Sequence, residues 1–242
     1  MAHGYPDFAQ SAGVNTVYQL RDLAELAARL GSIDTFDRRG DVFFLEDFEH
    51  GATCFGSTGN GTGNSSYLSL ERARSKSFSY KLVSGSTGAH DRYLYVRTGL
   101  PSLSKVGFEV SIELDDSNNV VEWLLQCYDG VNALKGHIKY DDSVNKLYYL
   151  NSASAWVEFA TNVIMLTTPG MFNTAKLVID SVNAKYSRFI LNATGYSLAD
   201  IALESTPSIY VNQVYAYVRF VGESGDNDIA YVDDWILTQN EP

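Results

Sequence analysis

The chain has 242 residues, 45% hydrophobic and 13% aromatic, enough apolar material for a full core and far from the composition of a disordered chain. A formal net charge of −11 excludes a protein that grips nucleic acid through clustered Lys and Arg, because that mode of binding is driven by counterion release. No run of 18 apolar residues predicts a membrane-spanning helix, and 16 Tyr and 12 Phe beside 19 Gly and only 5 Pro suit an all-β sandwich better than a helical bundle.

Residues 1–15 are polar and patternless and read as an arm. They carry no basic segment followed by an apolar one, so the expectation is synthesis and retention in the cytoplasm unless lysis releases the product. Thr16-Val17-Tyr18-Gln19 then offers a capping box, in which the Thr16 hydroxyl reaches the third amide and Gln19 reaches back. Val17, Leu20, Leu23, Leu26, Ala27 and Leu30 follow at helical spacing, and Gly31 supplies a stop. One amphipathic helix is therefore predicted. About fifteen residues of isolated helix are marginal in water, so the stripe of Val17, Leu20, Leu23, Leu26 and Leu30 must cover something, either its own sandwich or a neighbouring chain.

From Ile33 the period changes to two. Residues 33–37 and 41–48 read as strands flanking Arg38-Arg39-Gly40, a hairpin loop with Gly where a positive φ is needed. Arg39-Gly40-Asp41 matches an adhesion tripeptide but is better explained as turn chemistry. Residues 56–66, GSTGNGTGNSS, read as a flexible low-complexity loop. Strands are then predicted over 77–83, 92–98, 107–114, 120–128, 135–140, 146–150, 156–159, 175–180, 186–191, 210–221 and 229–237. Turn residues at Asp115-Asp116-Ser117-Asn118-Asn119, Asp129-Gly130 and Ser181-Val182-Asn183-Ala184 punctuate them. So many short strands with one helix imply two antiparallel sheets packed face to face over residues 33–242, preceded by an arm and helix over 1–32. Cys54 and Cys127 are too few for a disulfide framework and are expected to be free and buried.

Three stretches add a resemblance. LEDFEHG (45–51) and AYVDDWILTQ (230–239) resemble the first and last strands of jelly-roll carbohydrate-binding modules. The stretch AKLVIDSVNAKYSRFILNATGYSL (175–198) is similar to segments of laminin-G and concanavalin-A-like sandwiches. The resemblance implies an antiparallel jelly-roll β-sandwich whose terminal strands pair in one sheet, with acidic residues beside them holding a structural calcium. The arm, LRDLAELAARLGSIDTFDRRGD (20–41) and sandwich together also resemble proteins of tailed-bacteriophage and prophage virions, where such sandwiches decorate capsids or tails. That implies a virion location, self-association and a capsid or tail partner.

If the first and last strands are neighbours, Asp47 and Glu49 approach Asp233 and Asp234. Carboxylates gathered so closely must protonate, splay into water or share a cation, and calcium fits such oxygen ligands where zinc would ask for His or Cys. Solvated strand-end charges are the competing expectation. No catalytic set emerges: His3, His50, His90 and His137 are scattered, no G-x-S-x-G elbow or phosphate loop is present, and the E-x-D-x-x-E strand of sandwich glycosidases is missing. For sugar stacking, Trp123, Trp156, Trp235, Tyr93, Tyr95, Tyr148, Tyr149, Tyr215 and Tyr217 form the pool, but most alternate with Val, Leu and Ile and read as core. Tyr149 and Trp156 are the expected platform, with packing or an intersubunit contact as the alternative. The combined expectation is a non-enzymatic virion protein anchored by residues 1–32, with a polysaccharide-binding module second and a glycan-cleaving enzyme third.

Overall fold

A computed structural model describes residues 40–87, 90–116, 119–223 and 227–242. The expected helix with Val17, Leu20, Leu23, Leu26 and Leu30, the strand at 33–37 and most of the loop before Asp41 lie outside them. Among the described residues there is no helix, and all secondary structure is strand.

Two antiparallel sheets form a jelly-roll sandwich. Sheet A runs β13 (Thr194–Ser197), β12 (Lys185–Leu191), β11 (Asn173–Asp180), β6 (Lys105–Leu114), β16 (Ile229–Gln239), β4 (Ser79–Val83) and β3 (Ser65–Ser69), with β1 (Asp41–Glu46) added to β16. Sheet B runs β10 (Trp156–Thr161), β9 (Lys146–Leu150), β8 (Asn132–Asp141), β7 (Val120–Asp129), β15 (Val211–Val221), β5 (Asp91–Gly99) and β2 (Phe55–Asn60), with β14 (Glu204–Pro207) added to β8. The first and last strands pair, Asp41 opposite Gln239 and Glu46 opposite Trp235.

Alternation of side chains sets the layers. In β5, Leu94 and Val96 point inward; in β15, Val214, Ala216, Val218 and Phe220 do; in β6, Val106, Phe108, Val110, Ile112 and Leu114 do, and all these residues are at most 1% exposed. Trp123, Trp235, Tyr140, Tyr186 and Phe189 are among the largest side chains fully buried between the sheets. Each large side chain so buried contributes roughly 1.5–3 kcal/mol, which is the main reason the two sheets stay together.

Three local expectations are corrected. The glycine-rich stretch at 56–66 is no flexible loop: it supplies most of β2 and the start of β3, joined by a tight turn at Gly61 and Gly63, both with positive φ. Its small residues admit close neighbours, since a Cβ on Gly56 would lie 2.3 Å from the Tyr95 ring. Next, β1 ends at Glu46 instead of continuing to Phe48, because Phe48 turns into the left-handed region (φ 60) and drops fully into the core. Finally, both cysteines are free, but only Cys127 is buried, and Cys54 is exposed. Burial in apolar surroundings pushes the Cys127 thiol up to about 12, which makes it an inert packing group.

Candidate functional site

The outward residues of sheet B line up in cross-strand rows. One row reads Thr58, Tyr93, Arg219, Glu122, Lys139, Tyr148 and Glu158 from β2 to β10. The next reads Gly56, Tyr95, Tyr217, Leu124 and His137. A third reads Arg97, Tyr215, Gln126, Lys135 and Glu204. A strand whose aliphatic residues face the core must turn its other residues outward, and here those others are mainly tyrosines, cations and glutamates.

The rings interlock edge to face. Centroids lie 5.3 Å apart for Tyr93 and Tyr217, 5.6 Å for Tyr95 and Tyr215, and 6.0 Å for Tyr215 and Tyr217. His137 continues the band, 5.5 Å from Tyr217 and 4.8 Å from Trp156, an arrangement the ring quadrupoles favour. Trp156 is 36% exposed, so its indole covers β8 on one side and meets water on the other. Arg97 lies over Tyr128, Tyr210 and Tyr215 at 5.4–5.6 Å, and Lys139 over Tyr148 at 4.5 Å and Trp156 at 5.0 Å.

A polar network runs beneath the rings. His137 Nε2 lies 3.1 Å from both Glu122 Oε2 and Tyr217 Oη. Arg219 bonds Glu122 Oε1 at 3.0 Å and Asp91 Oδ2 at 2.8 Å. Burial works against an ionised Glu122, but hydrogen bonds and charge from His137 and Arg219 hold it below the usual carboxylate range. Burial drives His137 below its ordinary value against the pull of Glu122, and burial raises Tyr217. The backbone is fixed as well. Beside His137 the edge of β8 changes partner from β14 to β9, and there the buried Tyr186 hydroxyl from sheet A accepts His137 N–H at 2.9 Å and donates to Leu150 O at 2.7 Å. Trp156 is set by the preceding loop, where Asn151 Oδ1 accepts the amides of Ala153 and Ala155, both at 2.9 Å.

The expected platform splits. Tyr149 pairs with Ile138 and packs inward, 5.9 Å from Tyr186 and 6.2 Å from Phe159. Tyr148 is the outward residue, sharing Lys139 with Trp156. Tyr93, Tyr95, Tyr215 and Tyr217, read from the sequence as core, are the body of the exposed face.

No family model matches the sequence, and no curated protein sequence matches it. Solved structures do match in fold. A Bacillus subtilis protein with a galectin-like fold superposes with a TM-score of 0.56 at 10% identity, over 83% of this chain and 96% of its own. The cellulose induced protein Cip1 does so with 0.54 at 19%, over 81% and 96%. A carbohydrate esterase from the Shiga toxin-encoding bacteriophage phi24B gives 0.54 at 12%, over 84% and 100%. What they share with this chain is the fold.

The acidic residues singled out near the chain ends also converge, on the segment before β4. Asp233 Oδ2 accepts the amides of Arg74 (2.8 Å) and Ser75 (3.0 Å), and Asp234 takes the Ser75 hydroxyl at 2.8 Å and the Arg74 guanidinium. Asp47 pairs with Lys76, and Glu49 Oε1 accepts the amides of Ser77 (2.8 Å) and Phe78 (2.7 Å). A bulge makes this possible: Asp234 adopts φ 48 where β16 exchanges β4 for β1, and the register against β6 shifts between Asp233 and Ile236. Burial, with the charge of Asp234, pushes Asp233 up to about 7. The four carboxylates thus meet amides and cations of one loop, and no three His, Cys, Asp or Glu are grouped to hold a metal among the described residues.

Proposed function

We propose that the protein binds a polysaccharide across the outer face of sheet B, with Trp156, Tyr148, Tyr217, Tyr215, Tyr95 and Tyr93 as stacking surfaces and Gln126 as a polar contact, the buried pair of His137 and Glu122 holding the rings from beneath. One observation carries the reading: a continuous aromatic band, partly exposed at Tyr93, Tyr95, Tyr215, Tyr217 and Trp156, crosses β5, β15, β8 and β10, where packing alone calls for nothing so apolar on a water-facing side. Sugar rings present apolar C–H faces with hydroxyls at the rim, and interlocked tyrosines beside hydrogen-bonding groups complement both. The fold supports this, since lectin-like sandwiches are its structural relatives.

Binding without cleavage is supported by the state of the carboxylates. Hydrolysis asks for one carboxyl free to give a proton and another free to attack or activate water, about 5 Å apart or somewhat wider. On this face Glu122 is held by Arg219 and His137, Glu204 by Lys135 and Glu158 by Lys146.

Attachment to a virion through residues 1–32 completes the proposal, resting on their leucine spacing. The decisive experiment is a polysaccharide array with the purified full chain and its Trp156→Ala variant. Saturable binding that the variant weakens at least tenfold is expected. Equal binding by both proteins, or none by either at millimolar sugar, overturns the reading. Deleting residues 1–32 tests attachment separately, and undiminished incorporation into particles would remove that part.

A further inference from the structure

Two cations of the proposed glycan face stand apart from its ion pairs. Its cations are Arg97, Lys135, Lys139, Lys146 and Arg219, and Lys146 is taken by Glu158. Arg219 is consumed by Asp91 and Glu122, and Lys135 by Glu204. Arg97 and Lys139 enter no ion pair among the described residues and lie instead on aromatic rings, Arg97 over three tyrosines and Lys139 over Tyr148 and Trp156. The carboxylates around them are all engaged: Glu122 and Asp91 by Arg219, Glu158 by Lys146, Glu204 by Lys135, Asp129 by the amides of Val131 and Asn132, and Asp141 by Ser143. Arg97 and Lys139 are thus the two cations of this surface that form no ion pair with a carboxylate among the described residues.

We infer that the ligand is a carboxylated polysaccharide, a polymer of uronate-type sugars whose carboxylates meet Arg97 at one end of the face and Lys139 at the other. The inference rests on the glycan-binding reading and narrows it. Arg97 stands level with Lys135 through Tyr215 and Gln126, and Lys139 lies four residues further along β8. Strand spacing and rise then separate the two cations by about 20 Å, with Tyr215, Tyr217 and His137 along the diagonal between them. A chain of several sugars lying on that diagonal stacks on the rings and places an acid group at each end. Stacking holds both cations in place beforehand, and the fork of Arg97 suits bidentate contact with a carboxylate.

The test measures affinities of the full chain at about 0.15 M salt, where exposed charges more than a Debye length apart are largely screened. The probes are polygalacturonate, alginate and glucuronan, each beside its carboxyl-reduced neutral counterpart, with dextran sulfate as a polyanion lacking carboxylates. At least one acid polymer binds tenfold or more tightly than its reduced form. Arg97→Gln and Lys139→Gln each weaken the acid form several-fold more than the reduced form and so remove most of that preference, whereas Trp156→Ala weakens both forms alike. Unchanged melting temperatures show that the variants fold. Equal affinity for acid and reduced forms, or a preference that survives both Gln substitutions, overturns the inference and leaves a neutral-glycan face standing. Dextran sulfate binding as tightly as the best acid polymer overturns the carboxylate assignment. Binding of none of these polymers, acid or reduced, overturns the inference together with the reading beneath it.

Discussion

The two outer faces of the sandwich put the same alternation to opposite uses. On sheet A many outward residues are charged or hydroxylated, yet sealed: Ser111, Glu113 and Asp233 are fully buried, and Thr174 and Lys176 are 1% exposed. Lys176 lies 2.8 Å from Glu241, which also takes Arg188 and, at 2.5 Å, the Thr238 hydroxyl. Ser111 and Thr174 bond each other at 3.0 Å. On sheet B the outward residues are aromatic and half exposed, with cations resting on rings. Buried charges must be matched, so most charges of sheet A are taken up by partners of its own, whereas sheet B leaves partly exposed rings with Arg97 and Lys139 lying on them. Outward position alone therefore does not mark a functional face, and what decides it is whether the polar groups are already satisfied.

Breaking the matched side should have the largest effect. Lys176→Met leaves the carboxylates of Glu241 and Glu109 without that partner in a buried setting, and a loss of about 3–5 kcal/mol of stability is expected in denaturant unfolding, with sugar affinity per folded molecule unchanged. A loss below about 1 kcal/mol would show that sheet A's network is incidental.

Asp233 sharpens the same point through pH. Its folded value of about 7 stands above its ordinary 3.8, so between those values the folded state holds a proton the unfolded state has released. That contribution is present at the acid end and is lost as pH rises toward 7, at no more than about 1.4 kcal/mol per pH unit. Asp233→Asn keeps an acceptor without the charge, so relative to it the parent protein should lose melting temperature from pH 4 to 7. A difference that stays flat, or grows in the parent's favour, contradicts the assignment.

Smaller effects belong to sheet B and concern affinity. Tyr148→Ala should weaken polysaccharide binding several-fold, because its ring is outward and shares Lys139 with Trp156, while melting hardly moves. Tyr149→Phe should change binding least of all, since Tyr149 faces the core beside Tyr186 and Phe159. Reversal of that pair in a titration would mean that the register of β9 is off by one residue.

Much of the architecture was legible in the chain. Period-two alternation gave most strand positions to within two or three residues, and the acid-flanked segments at 45–51 and 230–239 announced the pairing of β1 with β16. The face was half legible. Tyr93-Leu94-Tyr95-Val96-Arg97 and Tyr215-Ala216-Tyr217-Val218-Arg219 alternate cleanly, and burying their aliphatic members already obliges the tyrosines to face outward. Aromaticity was read as a sign of core when alternation carried the stronger information. The glycine-rich stretch at 56–66 misled for the converse reason: small residues that suggest freedom in isolation are what let β2 lie under the Tyr95 ring.

What the amino-acid order determined by itself was periodicity, and with it the sandwich and the two sides of every strand, because backbone geometry converts alternation into facing without help from distant residues. Only the tertiary structure decided which rows stand side by side, which charges are consumed by partners remote in sequence, and which of two adjacent tyrosines meets water. Pairings such as Arg219 with Asp91, or Tyr186 with the backbone of His137, join residues far apart along the chain, and no local pattern encodes them.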